Sequence, residues 1–223
     1  MIRLGHGKTI IFGGPSIELI PENIKDEFII LPPIKRGDIE SLLKKNKTVK
    51  TIFITDGLFG QNLAIPPMEC LEALQKGWTI LGSSSIGALR ALDLSLSGMI
   101  GVGDIYFNYK LGNLKSDADV AVVYDKDTNE ELTASIVHLN FLFQVLREEG
   151  HLNSLEELKL IKTLSKTMWF ERYWDVVFEH FDKLVRQKKA LNALQNYSKD
   201  PHFNPKKRDA LLGIKYLRGS FSL

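Results

Sequence analysis

The chain has 223 residues, 44% of them apolar and 25% charged, with a net charge of +2, the profile of an ordinary soluble globular protein. No apolar run approaches the length needed to span a bilayer, and the start of the chain lacks the apolar core of a signal peptide. The single cysteine, Cys70, excludes an internal disulfide and a cysteine-rich zinc site, so a reducing cytoplasm is the expected home.

The first half alternates short apolar runs with helical patterns. Thr9–Phe12 is a strand candidate ending at Gly13-Gly-Pro-Ser16, and Phe28–Leu31 is a second, stopped by Pro32-Pro33. Ile39–Lys45 fits a short helix capped by Asp38. Val49–Thr55 is a third strand, closed by Asp56-Gly57. Met68–Lys76 fits a helix that follows Pro66-Pro67 and stops at Gly77. Trp78–Leu81 reads as a fourth strand and Ile86–Leu96 as the helix after it. Continuous Val/Ile/Phe strands separated by helices predict an α/β fold with a mostly parallel sheet. The glycine-rich passage Gly98–Gly103 then breaks the pattern. Asp104–Lys110 reads as a short helix and Val120–Tyr124 as one more strand.

From Leu132 the pattern is helical nearly to the end, with three apolar stripes read as core. They are Ile136, Leu139, Phe143 and Leu146; Leu155, Leu158, Ile161 and Leu164; and Trp169, Tyr173, Val176, Val177 and Phe181. The expected division is an α/β core over 1–130 and a helical portion over 131–223, packed on that core. From residue 151 onward the chain carries 14 Lys and Arg against 8 Asp and Glu. Its basic cluster, Lys206-Lys207-Arg208, reads as a solvated helix face rather than a nucleic-acid site.

Ligands of parallel α/β sheets bind beyond the carboxyl ends of the strands. Here those ends carry Gly13–Ser16, Pro32–Asp38, Asp56–Gln61 and Gly82–Ser85, a concentration of glycine, serine, aspartate and basic residues. The same residue types also form turns. The sharpest feature is Ser83-Ser84-Ser85, set between a strand and a helix. Such serines cap the helix, lie beside N–H groups that favour anions, or present a nucleophile on a strained elbow. Ser85-Ile86-Gly87 matches the right half of the Gly-x-Ser-x-Gly elbow, with Ser83 in place of the first glycine. Gly5-His-Gly-Lys-Thr9 precedes the first strand instead of following one, so it is not read as a phosphate loop. The five histidines show no metal-ligand spacing, and no metal is expected. A serine–histidine–carboxylate triad would use His138 with Asp56.

These segments resemble the TfuA-like family. Gly82–Ala91 is similar to its Gly-Ala-x-Ser-Met-Gly-Ala-Leu-Arg-Ala signature. Gly14-Pro-Ser16, Pro32-Pro33 with Arg36-Gly-Asp38, Asp56-Gly-x-Phe59, Gly98–Gly103 and Asp119–Val122 resemble its other segments in order, over roughly residues 12 to 140. The resemblance implies a partner of YcaO-type enzymes in peptide backbone thioamidation. It would supply sulfur by hydrolysing a thiocarboxylated carrier protein of the ThiS kind, using a serine–lysine pair and no cofactor of its own. It places the nucleophile at Ser85, with the Ile86 and Gly87 N–H groups holding the oxyanion. Ser16, Arg36, Asp38, Asp56, Gly57, Glu69 and Arg90 fall on binding positions. Two departures stand out. The family's His-Lys-Glu aligns with Pro67-Met68-Glu69, so the expected lysine is Met68, and Lys35, Lys110 or His138 are the candidate substitute bases. Within Leu132–Asn140, family Glu, Asn and Arg read Ala134, His138 and Asn140. The chain therefore reads as a thiocarboxylate hydrolase or as a non-catalytic binder of YcaO and its peptide.

Overall fold

A computed structural model describes residues 9–45 and 50–219. Gly5–Lys8 and the predicted strand start at Val49 lie outside the described residues. The chain forms two compact units, Ser116–Pro205 and the remainder, to which the chain returns at Lys206.

The sheet-bearing unit holds five parallel strands in the order β2-β1-β3-β4-β5. They are β1 (Thr9–Phe12), β2 (Ile29–Leu31), β3 (Thr51–Ile54), β4 (Thr79–Gly82) and β5 (Ile100–Gly101). The helices are α1 (Glu22–Lys25), α2 (Asp38–Lys45), α3 (Pro67–Gln75), α4 (Ile86–Asp93), α5 (Asp104–Lys110) and the final α10 (Pro205–Arg218). The α/β reading and the first four strands therefore hold. Central strands are apolar on both faces because both are covered. Ile11, Phe53 and Leu81 pack with Ile17, Ile20, Val102 and Ile214 of α10, while Ile10, Ile52 and Ile80 alternate to the other side and are equally buried. On α10, a Cβ at Gly213 would lie 2.2 Å from the Phe53 ring, so that glycine lets α10 settle onto the middle of the sheet.

Two sequence expectations change here. The glycine-rich passage carries β5, whose two residues pair with Leu81 and Gly82. The helix after β4 ends at Asp93, and a 3-10 turn over Ser95–Ser97 carries the chain to Gly98 at φ 98°.

The second unit is helical: α6 (Ile136–Glu148), α7 (Ser154–Leu164), α8 (Trp174–Leu184) and α9 (Lys188–Lys199). The strand expected at Val120–Tyr124 does not form. Asp125 turns the chain by accepting the Asp127 and Thr128 N–H groups, and only Tyr124 makes a single antiparallel bridge, to Glu131. The α6 stripe is core, as are Leu164, Val177 and Phe181. Leu155 and Leu158 are not: they are 61% and 67% exposed, because α7 buries the face of Leu160 and Leu164. Tyr173 is also exposed, since a 3-10 turn at Trp169–Glu171 breaks the third stripe before α8 begins. Among its buried groups is Arg172, whose Nη1 and Nη2 donate to the Ala134 and Thr167 carbonyls at 3.0 and 3.2 Å. Burial pulls that guanidinium below its usual pKa, with the charge of Asp119 opposing the shift. Among the described residues, no helix is long and apolar enough to cross a membrane.

Candidate functional site

Strand β4 ends at Gly82, and α4 starts four residues later. Glycines make that short passage possible. A Cβ at Gly82 would lie 2.0 Å from the Gly87 carbonyl oxygen, and one at Gly87 would lie 1.9 Å from the Ile54 oxygen. With both side chains absent, α4 begins directly against the ends of β3 and β4. Between them the chain folds back sharply. Ser83 N–H donates to the Ile54 carbonyl at 3.0 Å, and Ser85 N–H to the Thr55 carbonyl at 3.2 Å. Ser84 takes φ 67°, a left-handed conformation that a non-glycine residue rarely adopts. This is a strained strand–helix elbow with serines at its apex.

The three hydroxyls differ. Ser84 Oγ donates to the Lys206 carbonyl of α10 at 2.8 Å. Its single proton being used there, the 3.1 Å contact with Ser83 Oγ has Ser83 as donor. Ser85 occupies the N-cap of α4 and is only 2% exposed, yet its side chain makes no capping hydrogen bond. Ser116, Ser135 and Asn153 elsewhere in the chain do cap, accepting N–H groups of the turns they start. Capping therefore does not account for Ser85.

The helix start is partly occupied. Gly87 N–H points to the Thr55 carbonyl at 3.5 Å, whereas Ile86 N–H, at the first helical position, has no acceptor among the described residues. Of the two N–H groups expected to hold an oxyanion, only that of Ile86 is therefore open.

Helix α10 closes the other side of the turn. Lys206 is 1% exposed and is the only buried lysine among the described residues. Lys207 pairs with Glu18 at 2.5 Å. The reading of Lys206-Lys207-Arg208 as a solvated face is corrected at Lys206, which joins Asp209, Ala210, Gly213 and Ile214 on the buried face of α10, while Arg208 is exposed. Asp209 accepts the Asp104 and Ile105 N–H groups at 3.0 and 2.9 Å, capping α5. A Cβ at Gly103 would lie 2.3 Å from its carboxyl carbon, so only glycine admits that carboxylate. Burial pushes the Asp209 carboxyl up to about 7, against the lowering effect of those two N–H donors.

The other sequence-derived residues form two further groups. At the ends of β1 and β3, Asp56 accepts Gly14 N–H (2.9 Å), Ser16 N–H (3.0 Å) and Ser16 Oγ–H (2.6 Å), while the Thr55 hydroxyl, 3.2 Å away, has its shorter contact, 2.9 Å, with the Phe12 carbonyl. Gly57 follows, wedged so closely that a Cβ would lie 2.6 Å from Ile86 Cγ2 and 2.8 Å from Ile34 Cγ2. In the second group, Lys35 N–H donates to Asp38 at 2.9 Å, Gly37 N–H to Glu69 Oε1 at 2.8 Å, and Arg36 Nη2 to the Gln61 carbonyl at 3.1 Å. Glu69 Oε2 is buried without a partner. Arg90 ties α4 to the loop before α3 through the Ile65 carbonyl at 2.8 Å and pairs with Asp93.

Lys35 is exposed, as is Lys110, whose ammonium lies 5.9 Å from the Tyr106 ring centroid in the last turn of α5. Met68, at the expected lysine position, is exposed on α3. His138 is buried in the helical unit with its ring edge-on to Trp174, centroids 5.3 Å apart. Cys70 is buried, which raises its thiol to about 12 and keeps it unreactive. No cluster of three His, Cys, Asp or Glu is placed to hold a metal ion among the described residues. Lys206 and Asp209 are the residues sequence reasoning missed. Their signal was the spacing 206, 209, 210, 213, 214, with small residues on one helical stripe.

No curated protein matches the chain. The profile of the TfuA-like protein family matches residues 56–173, more than half of the chain, from Asp56 through the serine turn and α6 to the start of α8. On that match, this chain belongs to the TfuA-like family.

Proposed function

We propose that the protein is an accessory of YcaO-type enzymes in peptide backbone thioamidation, and that it releases sulfide from a thiocarboxylated carrier protein of the ThiS kind at Ser85. One observation carries the reading: Ser85 sits at a helix start behind a strained elbow, and its hydroxyl is not used as a cap. Ser85 Oγ attacks the thiocarboxylate carbon, an Oγ–C bond forms and the C–S bond breaks. The serine proton leaves with the departing sulfur as hydrosulfide, relayed by a base. Water then cleaves the ester, restoring the serine and leaving a carboxylate on the carrier. The Ile86 N–H is the donor for the developing oxyanion. Lys206 is favoured as base over Lys35 and Lys110, because it alone is buried and its helical turn touches the serine turn.

The second reading is a non-catalytic binder of YcaO and its peptide. Met68 at the lysine position and the Thr55 carbonyl against the Gly87 N–H favour it. Sulfide release from thiocarboxylated carrier separates the two. Ser85→Ala is expected to lose about a thousandfold, and Lys206→Met about a hundredfold. Equal rates for the parent and Ser85→Ala, with YcaO still captured in a pull-down, would establish the binding reading instead.

A further inference from the structure

We propose that Ser84 is a positioning residue, which fastens the serine turn to α10 and so sets the direction of the Ser85 hydroxyl. The inference rests on the reading of Ser85 as nucleophile. Three observations lead to it. Ser84 is the residue of the turn at positive φ, 67°, and it is fully buried. A serine there is strained where glycine would not be, and such strain persists only where the surroundings fix it. The fixing contact is visible: Ser84 Oγ donates to the Lys206 carbonyl at 2.8 Å, across 122 positions of sequence, and accepts from Ser83 Oγ at 3.1 Å.

The carbonyl that receives this hydrogen bond is itself held in place. Asp209, one turn further along α10, caps α5 through the Asp104 and Ile105 N–H groups, and Lys207 pairs with Glu18. Gly213 seats the same helix on Phe53. Helix α10 is thus anchored at three points along its length, and Ser84 connects its first turn to the elbow. Ser85 follows at φ −110° and ψ −118°, outside the helical region, so its side-chain direction depends on the residue before it. A glycine at 84 would satisfy the backbone better than serine does. The serine hydroxyl is therefore explained by the contact it makes and not by the turn alone.

The test compares Ser84→Gly and Ser84→Ala with the parent, using Ser85→Ala as background. Readouts are labelling of Ser85 by a fluorophosphonate probe, thermal midpoint, and sulfide release from thiocarboxylated carrier. Ser84→Gly is expected to melt within about 3 °C of the parent, because lost hydrogen bonding and relieved strain oppose each other. Its labelling rate is expected to fall about tenfold. Ser84→Ala, which keeps the strain and loses the contact, is expected to label as slowly and melt lower. Parental labelling of either folded variant would overturn the proposal, as would a parent unlabelled at Ser85. If neither variant folds, the contact is structural only and the proposal falls. Slowed labelling with no sulfide release by the parent would support the positioning role while removing the hydrolase reading.

Discussion

The carboxyl edge of the sheet has two halves that hold the same residue types and use them differently. Strand order 2-1-3-4-5 puts the topological switch point between β1 and β3, where such sheets generally bind their ligands. There Asp56, after β3, accepts three donors from Gly14 and Ser16 of the loop after β1. Beyond β4, the Ser84 and Asp209 side chains bind neighbouring elements, while the Ser85 hydroxyl is not used as a cap. Polar residues at strand ends thus locate the edge. The proposed site is the place on that edge where a group is presented without being used as a cap. The two buried carboxylates make the same contrast, with two N–H groups and a hydroxyl at Asp56 against two N–H groups at Asp209.

Breaking the contrast at Asp209 has the largest expected effect. Its carboxyl is raised from 3.8 to about 7 by burial, so the folded state prefers the protonated form. The stability this contributes is fully present below the unfolded value of 3.8 and is lost as pH rises through about 7. Between about pH 5 and about pH 8 the loss is on the order of 3 kcal/mol. Asp209→Asn keeps an acceptor for the start of α5 and cannot ionise. Urea midpoints measured across that range should therefore fall for the parent relative to the variant. Parallel pH profiles would show that Asp209 does not titrate with folding.

Asp56→Ala tests the other half. It leaves the Gly14 and Ser16 N–H groups and the Ser16 hydroxyl without their buried acceptor, at a cost of about 3 kcal/mol. Urea titration reads this directly. A cost below about 1 kcal/mol, accompanied by loss of sulfide release, would move the functional site to the switch point.

What the sequence reveals of these two halves follows from the range of the interactions. The strands β1 to β4, the elbow at Ser83–Ser85 and the glycines at 57, 82 and 87 are local signals, and they were legible. Glycine, proline and serine mark strand ends by their own backbone preferences, whatever they later touch. The role of α10 was not legible, because Ser84 meets Lys206 across 122 positions and Asp209 meets Ile105 across 104. A basic triplet looks solvated until the helix is placed, although Ala210 and Gly213 on one stripe marked the buried face. Likewise, Leu155 and Leu158 repeat at helical spacing but lie on the face of α7 that no described core covers. Periodicity identifies a stripe without saying which of two neighbouring stripes is buried.

The smallest expected effect is the most discriminating. Ser16 and Ser85 are both buried serines at strand ends, and both fall on positions the family resemblance marks as functional. Ser16 Oγ donates to Asp56 at 2.6 Å, so its proton is held by a carboxylate within the fold. Ser16→Ala removes one buried hydrogen bond to a carboxyl group that keeps the Gly14 and Ser16 N–H donors, costing about 1–2 kcal/mol. Sulfide release should stay within about twofold of the parent, since nothing in the serine turn depends on that hydroxyl. The reverse result, parental stability with release reduced at least about tenfold, would mean that Ser16 and Asp56 act on the substrate. The switch point would then be an active half of the edge, and the donors around Asp56 would be holding a reactive carboxylate in place.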